Sequence, residues 1–231
     1  MNLITQTNRC SCGTQYEYQA YIQDGRTRHF DDGKCDACNE AYITERKNEI
    51  EGARKAVIIR NLLDTFGPNL CDTEATRLSP RLQEIASNYT FGPQGVGFVG
   101  ISNIGKTRCL FTIVKKLALE GKSFAFLTGP QLAQALKDTR SDDARERHDA
   151  RKSLEDARKA TLLVLDDIAQ EKASGEVLTA FWDVLDTRRS KKLPLFWTSN
   201  VPAAQFKGRF EESKADSVIT RLKDISTIYP L

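Results

Sequence analysis

The stretch Gly97-Phe98-Val99-Gly100-Ile101-Ser102-Asn103-Ile104-Gly105-Lys106-Thr107 leaves the chain few folds to choose from. Its Gly100-x-x-x-x-Gly105-Lys106-Thr107 spacing is that of a phosphate-binding loop, which joins a buried strand to a helix. Both flanks agree. Val96-Gly97-Phe98-Val99 is short and apolar, as a strand covered on both faces of a parallel sheet must be. Leu110, Ile113, Val114 and Leu117 recur at helical spacing, and Gly121 is placed to stop that helix. In such a loop the backbone N–H groups and the helix N-terminus face a phosphate. Gly100 and Gly105 allow the turn and the close approach. Lys106 would pair with β- and γ-phosphate oxygens, and Thr107 would hold Mg²⁺ through its hydroxyl. Asn103 stands where many such loops have another glycine, and Asn is among the few other residues that tolerate positive φ. ATP and Mg²⁺ are the cofactors this pattern implies.

Phosphoryl transfer needs a second metal carboxylate and a group to orient water. Thr161-Leu162-Leu163-Val164-Leu165-Asp166-Asp167 is an apolar strand ending in paired acids, which in an open parallel sheet emerge beside the phosphate loop. Asp166 would hold Mg²⁺ through water, and Asp167 would polarise the attacking water. A further strand, Leu195-Phe196-Trp197-Thr198-Ser199-Asn200, ends in polar residues, with Asn200 placed to bond the attacking water or the γ-phosphate.

Four of the six cysteines lie in the first 38 residues, as Cys10-x-Cys12 and Cys35-x-x-Cys38. Clustered pairs of this kind suggest metal before disulfide. Between them Tyr16, Tyr18, Ala20 and Ile22 alternate with polar residues, and Asp24-Gly25 is a hairpin-turn signal. A cysteine pair, a hairpin, a second pair and a helix predict a zinc-ribbon or treble-clef-like module, with four thiolates closing a structural Zn²⁺ site. His29 is an alternative to one thiolate. Cys71 and Cys109 read as small buried residues. Residues 39–66 predict one long helix, or two broken near Gly52, ended by Gly67-Pro68-Asn69, and a shorter helix is expected over 79–89.

Net charge of +3 over 231 residues is too small to argue by itself for nucleic acid. No stretch approaches a membrane span, and the N-terminus lacks the apolar core of a signal peptide, so a cytoplasmic chain with no membrane partner is expected.

The order GISNIGKT, LLVLDDI, FWTSN and Ser217-Val-Ile-Thr-Arg221-Leu resembles the DnaC/IstB branch of the AAA+ ATPases over about residues 90–231. That resemblance implies a parallel sheet flanked by helices, with Walker A, Walker B and sensor 1 at one edge. It implies ATP held between neighbouring subunits, and so a nucleotide-dependent homo-oligomer. Arg221 matches the stretch that carries the family's arginine finger and would reach a neighbour's γ-phosphate. The end at Leu231 leaves no room for the C-terminal helical lid of many AAA+ proteins, which this branch also lacks.

Residues 131–160 fall where initiator-type relatives insert an extra helix that touches single-stranded DNA. Lys137, Arg140, Arg145, Arg147 and Arg151 would meet phosphates, but a solvated salt-bridged helix explains the mixed charge equally well. The expected organisation is a zinc-binding partner module at 1–45, a helical linker at 46–90 and an AAA+ ATPase domain at 91–231. Two functions fit: a DnaC-like loader that places a DnaB-like replicative DNA helicase on single-stranded DNA, or an IstB-like helper acting with a transposase on duplex DNA. The amino-terminal module favours the first.

Overall fold

Alternating side chains near the N-terminus build a small antiparallel sheet. In the computed structural model, which describes residues 2–23, 26–29, 33–67, 77–169 and 175–231, β1 (Asn2–Arg9) pairs with β2 (Gln15–Gln23) and β2 pairs with β3 (Arg26–His29). Arg9 lies opposite Gln15 and Asn2 opposite Ile22. Ala20 is fully buried, whereas Ile22 is exposed. The turn expected at Asp24-Gly25 lies outside the described residues, as does Cys71. Strand β1 was not foreseen, because its run Asn2-Leu3-Ile4-Thr5-Gln6-Thr7-Asn8 carries almost no apolar alternation.

The chain divides into two units, Met1–Val57 and Ile58–Leu231. Helix α1 (Asp36–Phe66) begins in the first and ends in the second. It runs unbroken through Gly52, since glycine weakens a helix by only about 1 kcal/mol relative to alanine. Gly67, at φ 81°, ends it by donating its N–H to the Leu63 carbonyl at 2.9 Å.

The described residues of the second unit include a sheet of five parallel strands. They are β4 (Gly95–Val99), β5 (Phe124–Thr128), β6 (Leu162–Asp166), β7 (Leu195–Ser199) and β8 (Ser226–Pro230), in the spatial order β5-β6-β7-β4-β8. The period of two along each strand divides the core between two faces. Leu163 and Leu165 pack on one side with α4 (Gly129–Asp138), α5 (Ala144–Lys159), α6 (Gly175–Ser190) and α8 (Glu212–Ile225). Leu162 and Val164 pack on the other with the end of α1, α2 (Pro80–Asn88) and α3 (Lys106–Leu119). A short helix α7 (Ala203–Phe206) follows β7. This is the α/β architecture of an AAA+ P-loop NTPase core, preceded by small amino-terminal elements. Among the described residues, no helix is long and apolar enough to cross a membrane.

From β4 the chain crosses to β5 at the far edge, walks back through β6 and β7 to β4, and places β8 on the other side. The strand order therefore switches beside β4, the position at which open α/β sheets bind ligands at their carboxyl edge. Helix α3, which leaves that edge, is closed at its far end by Gly121 at φ 90°. Gly121 donates to the Ala118 carbonyl at 2.9 Å and Lys122 to that of Leu117 at 3.0 Å.

Candidate functional site

Strand β4 delivers the phosphate-loop sequence to the carboxyl edge of the sheet. Asn103 and Gly105 have φ of 66° and 94°, and the helix begins at Lys106. Gly100 is required for a packing reason: a Cβ there would lie 2.2 Å from the main-chain oxygen of Leu231, whose N–H bonds the Val99 carbonyl at 2.8 Å. Leu231, directly after β8, therefore packs against the flank of the loop.

Lys106 is almost fully buried, at 4% exposure. Its ammonium donates to the carbonyls of Gly100 (3.1 Å) and Ile101 (2.6 Å) and to Asn200 Oδ1 (2.7 Å), so three acceptors meet its three protons. Burial lowers its pKa, and the charges of Asp167 and Asp166 oppose that shift. Asn200 turns its Nδ2 the other way and donates to Asp167 Oδ1 at 2.7 Å. One side chain thus joins the loop lysine to the second acid.

The paired acids differ in surroundings. Asp166 Oδ1 accepts from Thr107 Oγ1 at 2.8 Å and from Thr198 Oγ1 at 2.6 Å. Asp167 sits in the left-handed region at φ 61°, with its N–H on Thr198 Oγ1 at 2.9 Å. Burial pushes the Asp167 carboxyl upward, and Asp166 adds to the rise. Lys106 and Asn200 pull it back. The next residue is fixed as well: Ile168 donates to the Thr198 carbonyl, and Ser199 Oγ donates to the Ile168 carbonyl, both at 2.8 Å. Gly129 belongs to the same corner, because a Cβ there would meet the Asp167 carbonyl oxygen at 2.7 Å.

Gly100, Asn103, Gly105, Lys106, Thr107, Asp166, Asp167 and Asn200 are thereby brought to one edge. The residue types fit a nucleotide with Mg²⁺. A buried ammonium and a glycine-bearing loop at a helix N-terminus suit phosphate, and a hydroxyl facing a carboxylate supplies the hard oxygen ligands that Mg²⁺ prefers. Thr198 was missed as a site residue; it ties both acids to β7, and only its place in the run Thr198-Ser199-Asn200 hinted at it.

Arg221 is not joined to this network. Its Nε and Nη2 fork onto Asp186 of α6 at 2.6 and 3.2 Å. Its guanidinium lies 5.1 Å from the Trp182 ring centroid and also bonds Ser217.

In the first unit the four cysteines converge. Cys10 and Cys12 occupy the tight turn between β1 and β2, where Gly13 has φ 91° and donates to the Cys10 carbonyl at 2.8 Å. Cys35 and Cys38 open α1, with the Asn39 N–H on the Cys35 carbonyl at 2.9 Å. All four sulfurs lie within 4.8 Å of one another, and those of Cys12 and Cys35 are 3.6 Å apart. A tetrahedron with ~2.3 Å Zn–S bonds has edges of about 3.8 Å. Backbone hydrogen bonds from Cys12 and Cys35 lower the Cys10 thiol to about 6, whereas hydrogen bonding with the other thiols pushes Cys38 up to about 12. The set is a Cys₄ cluster of the kind that holds a structural metal. Cys109, by contrast, is buried against the Leu82 carbonyl, and burial pushes it up to about 12.

No family model matches the chain, and no curated protein does. Solved structures do match. A crystal structure of DnaI aligns with TM-score 0.53 and 24% identity, over 64% of this chain and 79% of that one. The crystal structure of the DnaC helicase loader aligns with TM-score 0.50 and 19% identity, over 64% of this chain and 84% of that one. The replication initiator DnaA bound to AMPPCP and single-stranded DNA aligns with TM-score 0.50 and 16% identity, over 65% of this chain but only 44% of that one. At these identities the likeness establishes the fold.

Proposed function

We propose that this chain is an ATP-dependent, DnaC-like loader that binds a replicative DNA helicase and helps place it on single-stranded DNA. The observation that carries the ATPase part is the single hydrogen-bonded chain Lys106–Asn200–Asp167, set beside Thr107–Asp166–Thr198 at the carboxyl edge of the sheet. The fold likeness to DnaI and to the DnaC helicase loader supports the loader part. In this reading the loop backbone and Lys106 bind the phosphates, and Thr107 and Asp166 hold Mg²⁺. Mg²⁺, when bound, neutralises phosphate charge and fixes phosphate orientation. Asn200 orients the nucleophilic water, and Asp167 takes its proton at a carboxylate oxygen. The raised proton affinity of Asp167 suits that task. Arg221 acts in trans on a neighbour's nucleotide, which makes the active form a nucleotide-dependent oligomer. The functional division is then a zinc-bearing partner module at 1–45, a helical linker at 46–90 and the ATPase domain at 91–231.

Native mass spectrometry of the full chain with the replicative helicase of the same organism, with and without ATP, tests the reading. A stoichiometric complex is expected, and its dependence on ATP should vanish in Lys106→Ala. Absence of a complex in every nucleotide state would reject the loader, and a transposase on duplex DNA becomes the partner to test.

A further inference from the structure

Helix α1 is bare along most of the first unit: every residue from Glu40 to Val57 is exposed. A helix without a packed face is marginal, because helices in proteins draw most of their stability from tertiary contacts. Gly52, in its interior, weakens it further. Of its exposed large apolar residues within the first unit, Tyr42, Ile43, Ile50 and Val57, all but Tyr42 fall into one pattern. Ile43, Ile50 and Val57 recur every seven residues and are 43%, 69% and 58% exposed. Seven-residue spacing keeps them in one file along the helix, the geometry of a coiled-coil seam.

The flanks of the file are basic. Lys47 and Arg54 each lie four residues beyond Ile43 and Ile50, while Arg46 and Arg60 lie three residues beyond Ile43 and Val57. Residues three and four apart are neighbours on a helix surface, so these cations border the file. Arg46 reaches Glu49 at 3.0 Å, but both side chains stay more than half exposed. Glu45 points away from the file by the helical period, Glu49 lies to its side, and Glu40, three residues before Ile43, is the one acid that borders it, against four cations.

A second copy does not fit this surface. A parallel pair would set Arg46, or Lys47 and Arg54, against their own copies at the second position of the seam, and an antiparallel pair centred on Ile50 would set Arg46 against Arg54. A lipid surface calls for a broad apolar face, and this file is one residue wide. We infer that the Ile43–Ile50–Val57 file is a docking surface for an amphipathic helix of another protein, with apolar residues at heptad spacing flanked by Asp and Glu. This deepens the loader reading and rests on it in one respect, namely that the helix would belong to the helicase.

The probe is a synthetic three-heptad helix with a Leu seam and Glu flanks, beside a counterpart with Lys flanks. Both are titrated onto the full chain and onto the triple variant Ile43→Ala, Ile50→Ala, Val57→Ala. Alanine is the best helix former and these positions are already exposed, so the variant keeps its helix, which far-UV circular dichroism checks. The acidic peptide should bind wild type, weaken with salt, and bind the variant about tenfold or more weakly. The Lys-flanked peptide should not bind. Equal binding of both peptides, undiminished binding to the variant, preference for anionic vesicles, or a file-dependent dimer of the chain alone would each overturn the proposal. The helicase separates the two readings. If the acidic peptide binds through the file and the helicase does not bind at all, the surface stands and the loader reading fails. If the helicase binds wild type and the triple variant alike, the loader reading stands and this surface is not its contact.

Discussion

Asp167 and Arg188 show how one residue's surroundings set what it can do. Asp167 is held beside Asp166 in a half-buried corner, and that corner raises its pKa. A carboxylate accepts a proton from water only when ionised. The hydrolysis rate should therefore fall as pH drops through the raised pKa, which places the acid limb above the range of an ordinary carboxylate. The sign for stability is opposite: a raised folded-state pKa means that ionising Asp167 costs stability as pH rises through it. Asp167→Asn should consequently keep or slightly gain stability while phosphate release drops by about 10²–10⁴-fold. Steady-state phosphate release against pH checks this, and a variant that turns over with an unchanged profile would remove Asp167 from the chemistry.

Arg188 is fully buried, and among the described residues no carboxylate is a hydrogen-bond partner. It donates to the carbonyls of Ala157 (3.0 Å), Ala160 (2.9 Å), Thr161 (3.3 Å) and Pro194 (2.6 Å), binding the end of α5 to the starts of β6 and β7. Burial lowers its pKa to about 10, still protonated at neutral pH. Arg188→Met would leave these carbonyls without their donor, at a cost of about 3 kcal/mol or more. Urea unfolding measures it, and a midpoint within error of wild type would refute the role. The sequence made Lys106 legible and left Arg188 silent for one reason. The loop that holds Lys106 is recognised by local spacing, whereas the acceptors of Arg188 come from three elements that only folding gathers.

Elements explain where the loop sits and how Arg221 is carried. The strands β4, β6 and β7 were readable because each is a buried apolar run ending in polar residues. Strand β8 was not, since Ser226-Thr227-Ile228-Tyr229-Pro230 has neither a motif nor a long apolar run. Yet β8 carries the chain beside β4 to Leu231, whose main-chain oxygen makes Gly100 obligatory. The stretch of α8 around Arg221 was legible through its resemblance, but the partners of Arg221 on α6 were not. Asp186 and Trp182 lie one turn apart on α6 and hold the guanidinium between an ion pair and a ring face. If α8 presents Arg221 to a neighbour, Arg221→Ala should leave nucleotide affinity intact and lower hydrolysis in the assembled form by roughly 10³-fold or more. Its cost in stability should be within about 1 kcal/mol, because Asp186 is half exposed and such pairs contribute little. Nucleotide titration and turnover at assembling concentrations check both parts. Global unfolding of the variant would make the residue structural.

At the scale of the whole molecule the two units rest on different physics. The second has a full core on each face of its sheet. Among the described residues of Met1–Val57, the buried apolar ones are Cys10, Ala20 and Cys35. Three residues, two of them thiols of the cluster, cannot offset the conformational entropy of ordering some fifty. The missing free energy is what a closed tetrahedral site provides, since its binding free energy is folding free energy. One Zn²⁺ per chain is therefore expected by elemental analysis. Chelation, or Cys35→Ser, should open the first unit to proteolysis. Both tryptophans, Trp182 and Trp197, lie in the second unit, so their fluorescence follows that unit alone. Its urea transition should move little on chelation while the protease cuts within residues 1–57. A first unit that stays protected in metal-free protein would mean that packing suffices and the thiols have another use. Loss of the tryptophan transition along with the first unit would mean that the metal supports the nucleotide core too.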